Sequence, residues 1–73
     1  MSPEKMVLMA NQIATFFKTQ PGEDQAQRVA DHLNDFWEPR MRRQLFELLD
    51  NGGDGFRPLV LEAATQIRRP AAA

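Results

Sequence analysis

Residues 50–55 read DNGGDG, carboxylates among glycines, and the first chemistry to test there is calcium binding. An EF-hand loop starting at Asp50 would have Asp54 and Gly55 at its fifth and sixth positions, as required. Its third position is Gly52, which has no oxygen ligand to offer, and its twelfth is Leu61 where a bidentate Glu belongs. Glu62 comes one residue late, and Pro58 falls inside the loop. The same glycines make a poor phosphate cradle, because Pro58 occupies the third glycine position of GxGxxG and no strand precedes it. A helix cap followed by a turn accounts for the stretch. Groups for catalysis are equally scarce: one His, no Cys and no Tyr. His32 lies between Asp31 and Asp35, and no other His exists to complete a metal site or an acid–base pair. A solvated or partner-bonded imidazole fits better, with Glu23, Asp24, Asp31 and Asp35 as a wet helix face. The expectation is no catalytic residue, no cofactor-binding residue and no metal ligand in this chain.

The most distinctive stretch is DFWEPRMRRQL at residues 35–45, with the only Trp, then Pro39, then Arg40, Arg42 and Arg43. If Pro39 opens a helix, these cations fall near its N-terminus, where the helix dipole favours anions. Pairing within the chain to Asp31, Asp35, Glu38 or Glu47 would compensate weakly, since exposed pairs contribute only ~0–1 kcal/mol each. The alternative is a recognition patch. Trp37 would divide its indole between core and surface, beside guanidinium forks suited to carboxylate or phosphate. Trp and Arg are the residues most enriched at interface hot spots. Trp37, Arg40, Met41, Arg42 and Arg43 are therefore expected to face a partner.

The elements that must carry these residues read as helices. Ser2-Pro3-Glu4 is a helix start, with a capping hydroxyl, Pro at the first position and an acid in the first turn. Met6, Met9, Ala10, Ile13, Phe16 and Phe17 then follow one apolar helical face, and Gln20-Pro21-Gly22 stops it. A second helix is predicted from Glu23 to Phe36, with the stripe Ala26, Val29, Ala30, Leu33, Phe36 and Trp37, and Pro39 places a break at Glu38. A third helix from Pro39 presents Met41, Leu45, Leu48 and Leu49 and ends at Asp50-Asn51-Gly52. A fourth runs from Pro58 to Ile67. Nothing alternates like a strand. The expected fold class is all-α, a small bundle of about four short helices, forming one domain over residues 1–70 with a disordered tail at 71–73. Arg68-Arg69-Pro70 is expected to fray. Leu8 and Leu61 point away from their own stripes; isolated surface leucines are ordinary, and the alternative is that both are secondary contacts covered by another chain.

Composition narrows the function. At 73 residues the chain is one small domain, a size that usually needs a staple or a partner. Disulfides, thiolate zinc and iron–sulfur ligation all require the Cys it lacks, so a partner is the staple that remains. A net charge of −1 gives no long-range field for nucleic acid or anionic membrane. No apolar run approaches the ~20 residues of a membrane helix, and the N-terminus does not read as a signal peptide, so the cytoplasm is the expected compartment. A helix-turn-helix DNA-binding regulator is the rival reading of four short helices with arginines opening one of them. Acids at 31, 35, 38 and 47 around those arginines count against it.

LMANQIATFF, ADHLNDFWEPRMRRQL and PLVLEAA carry a resemblance that extends over about residues 5–66. The sequence closely resembles the delta subunit of the soluble, molybdenum-containing, NAD-dependent formate dehydrogenase. The C-terminal RRPAAA lies outside it. The resemblance implies a small non-catalytic accessory subunit of a cytoplasmic molybdoenzyme complex that oxidises formate and reduces NAD⁺. It implies that molybdenum–pterin, iron–sulfur clusters and FMN are held by larger subunits. The implied role is to bind the large molybdenum-bearing subunit and stabilise the complex, with a further role in assembly or cofactor insertion left open.

Overall fold

The computed structural model describes residues 2–70. Helices α1 (Pro3–Lys18), α2 (Gln25–Phe36), α3 (Pro39–Asp50) and α4 (Pro58–Ala63) follow in order, and a 3₁₀ turn at Ala64–Gln66 continues the last. No strand occurs among the described residues, and the all-α expectation holds. The expected tail at 71–73 lies outside them.

Local sequence explains the boundaries. Ser2 is extended and its Oγ accepts the Lys5 N–H at 3.2 Å, so α1 starts with a satisfied donor. At its far end the Thr19 hydroxyl donates to the Phe16 carbonyl at 2.7 Å. α2 begins at Gln25, later than the Glu23 predicted. The Gln25 amide donates to the carbonyls of Lys18 and Gln20 at 3.1 and 2.9 Å, fastening the start of α2 to the end of α1. Pro39 opens α3 as predicted, with Glu38 extended ahead of it. The N–H groups of Gly52 and Gly53 close α3 on the carbonyls of Leu49 and Leu48. Gly53 is buried at φ +67, and a Cβ there would come within 3.2 Å of Leu61 Cδ2.

α2 packs chiefly on α4 and α1. Ala10, Ala14, Ala30 and Ala63 are almost wholly buried among Met6, Val29, Leu33, Leu45 and Val60, and their small side chains let the helices close on one another. The core line of α1 is therefore Met6–Ala10–Ala14, and the predicted stripes are corrected at their edges. Phe16 and Phe36 are 60% and 74% exposed, whereas Phe46, absent from the predicted face of α3, is buried. Each apolar stripe is broader than the face so small a core can cover.

Two asparagines decide where α4 starts and stops. Asn11 of α1 donates from Nδ2 to the Gly55 carbonyl at 2.9 Å and accepts the Arg57 N–H at Oδ1 at 2.8 Å. Asn34 of α2 does the same one segment on, donating to the Gln66 carbonyl at 3.2 Å and accepting the Arg68 N–H at 2.7 Å. Each side-chain amide thus grips backbone two residues apart. The residues between, Phe56 and Ile67, are buried. This is why the fourth helix ends short of the predicted Ile67, which is extended at φ −82, ψ 131.

The predicted fraying of Arg68-Arg69-Pro70 is also corrected. The Arg69 guanidinium meets both Asp50 oxygens, at 2.9 and 3.1 Å, and lies 4.2 Å from the Phe46 ring centre. Asn11→Asp and Asn34→Asp replace a donor with a carboxylate facing a carbonyl, and each is expected to cost about 1–3 kcal/mol near neutral pH. Acidification should recover part of the loss, because a protonated carboxyl can donate again. Urea unfolding followed by circular dichroism checks this; wild-type stability in both variants would remove the clamping role.

Candidate docking surface

The arginine-rich stretch lies at the corner where α2 gives way to α3. Trp37 caps α2 in extended geometry, its N–H bonded to the Leu33 carbonyl. Its indole is only 5% exposed and belongs to the core, which corrects the expectation of an indole shared with the surface. Arg42 turns inward as well. Its Nε donates to the Trp37 carbonyl at 3.2 Å and its Nη1 to the Arg68 carbonyl at 2.6 Å. This explains a cation near the N-terminus of α3: the same corner is the carbonyl end of α2, where positive charge is favoured. Met41 is half-buried against the core.

Arg40 and Arg43 remain exposed and make no ion pair among the described residues. None of the three arginines pairs with Asp31, Asp35, Glu38 or Glu47. Arg43 shares a shallow depression with Phe46, Asp50 and Arg69. Leu8 and Leu61 are 56% and 45% exposed, on α1 and α4 respectively.

A larger apolar surface lies elsewhere. Met9, Gln12, Ile13, Phe16 and Phe17 of α1 and His32 of α2 line an open groove of about 340 Å³. A row of rings crosses it. Phe16 and Phe17 meet edge-on at 5.2 Å, Phe17 and His32 at 6.0 Å, and His32 and Phe36 lie tilted at 4.8 Å. His32 is therefore part of an aromatic surface. Leu8, one turn before Gln12, continues the exposed flank of α1. Sequence reasoning placed Phe16 and Phe36 in the core and missed this groove. The available signal was the breadth of the two stripes, each ending in a large ring beside an alanine-rich centre. Among the described residues no cluster of His, Cys, Asp and Glu is arranged to hold a metal ion.

A family model described as NADH-dependent formate dehydrogenase delta subunit, FdsD, matches residues 5–64. The chain belongs to this family. It is thus a subunit of a formate dehydrogenase complex, with enzyme subunits as its partners. No curated protein matches it. The span shared with the delta-subunit family runs from the first turn of α1 through α4, takes in every residue of the aromatic groove, and stops before the Arg68–Arg69 strap. No helix among the described residues is long and apolar enough to cross a membrane.

Two predictions follow from the corner and its strap. Arg42→Ala loses both carbonyl contacts and should lower stability by about 1–2 kcal/mol, with Arg42→Lys intermediate because an ammonium lacks the fork; thermal melts compare them. The hydrogen bonds and charge of Arg69 hold the Asp50 carboxyl below its ordinary value of 3.8. A depressed pKa contributes stability that is present above the ordinary value and lost as pH falls through the folded-state value. The difference in melting temperature between wild type and Asp50→Asn should therefore be present near neutrality and close as pH drops below 3.8.

Proposed function

We propose that this chain is a non-catalytic accessory subunit that binds and stabilises the large molybdenum-bearing subunit of its formate dehydrogenase complex. In this reading molybdenum–pterin, iron–sulfur clusters and FMN reside in partner subunits, and this chain contributes surface. The setting is the cytoplasm, without a nucleic acid or membrane partner. The observation that carries the reading is the uncovered aromatic row of Phe16, Phe17, His32 and Phe36, a contiguous apolar surface of the kind that marks interaction sites. Leu8 extends that contact. Arg40 and Arg43, exposed and unpaired among the described residues, supply a second one directed at carboxylates. Trp37, Met41 and Arg42 act from beneath by fixing the α2–α3 corner. Leu61 serves as a minor contact on α4.

Purification of the complex through a tag on this chain tests the reading. The wild-type chain should bring the large subunit with it, and the Phe16→Ala/Phe36→Ala double variant should retain at least ~10-fold less, as expected when hot-spot rings are truncated. Both rings are exposed, so the variant should keep wild-type helicity by circular dichroism. A wild-type eluate without the large subunit would sink the proposal.

A further inference from the structure

The groove is asymmetric in charge. On α2 His32 lines the groove and Phe36, one turn on, extends the ring row past it; Asp31 and Asp35, each one residue before these and both exposed, run along the same flank, with Glu38 just beyond. Asp24 is met by Arg28 at 3.1 Å, but Asp31 takes only an amide proton from Gln27, at 2.7 Å. Asp35 and Glu38 have no ion pair among the described residues. On α1 the opposite flank holds Gln12, with the exposed Lys5 one turn before Met9, so it carries no acid. The floor is apolar and one rim is anionic.

This pattern selects the occupant. A second copy would bring its own Asp31–Asp35 row into the shared interface, and like charges set against each other oppose association. Ala71, Ala72 and Ala73 offer neither the bulk nor the charge that the groove asks for. The groove is built from two helices and has no free sheet edge, and Gln12 and His32 are its only polar lining side chains. An incoming backbone must therefore satisfy its own hydrogen bonds, which a helix does.

We infer that the groove receives an amphipathic helix of the large subunit, seating an apolar row between Phe16 and Phe36 and turning a row of Lys or Arg toward Asp31 and Asp35. This rests on the docking role proposed above and specifies the chemistry of the contact.

The test uses the intact complex carrying Phe36→p-benzoylphenylalanine. Irradiation should yield an adduct within a helical segment of the large subunit that has Lys or Arg beside its apolar row. Asp31→Lys/Asp35→Lys should weaken binding about 10-fold, wild-type binding should weaken with added salt, and changing the basic residues of the captured segment to Glu should restore binding to the reversed variant. An adduct with a second copy overturns the inference. So does an adduct with a segment lacking basic residues, unchanged binding after charge reversal, or no adduct from a chain that still co-purifies. Those results leave the docking role standing, whereas failure of the wild-type chain to co-purify removes both.

Discussion

Two side-chain amides hold this fold to its shape. A carboxamide presents a donor and an acceptor side by side, as backbone does, so Asn11 and Asn34 can each grip an extended segment at two points. Between the points of each grip sits one apolar side chain, Phe56 ahead of α4 and Ile67 behind it, and both are driven into the core. A helix of six residues has little stability of its own. It persists because its flanks are fastened to α1 and α2 by hydrogen bonds that span 32 to 46 residues. Aspartate has the wrong chemistry for this task, and glutamine is longer by one methylene.

The α2–α3 corner applies the same economy with a cation. Pro39 forces an extended Glu38, the chain turns, and the last carbonyls of α2 lie within reach of a side chain from the next helix. Arg42 bridges one of those carbonyls to Arg68, and so ties the corner to the end of the chain. Arg69 completes the strap across Asp50 and Phe46. The dipole of α3 alone would disfavour Arg42; the geometry of two helix ends meeting reverses that judgement.

Much of the fold was legible in the sequence because its signals are local. Ser2-Pro3, Pro39 and Pro58 fix helix starts through their own backbone restrictions, and three of four boundaries at the N-terminal side follow from them. The alanine-rich centres and outer rings could be seen, but periodicity does not say how much of a stripe a neighbour will cover. Periodicity therefore turns Phe16 and Phe36 inward and Phe46 outward, the reverse of their burial. Long-range pairings left no periodic trace: the asparagine grips span 44 to 46 and 32 to 34 residues, and the Arg42–Arg68 bond spans 26. Trp37 and the cluster Arg40, Arg42 and Arg43 stand out in the sequence, but Trp37 is buried and Arg42 bonds to carbonyls of its own chain. Family membership was legible for the same reason that the corner matters, since FWEPRMRRQL combines the break, the buried indole and the bridging guanidinium.

Phe36 leaves three-quarters of its surface in water at the end of the ring row that begins with Phe16. Exposed rings of this kind are what chaperones and proteases engage in a crowded solution, so a copy whose ring row stays in water is the form most open to clearance.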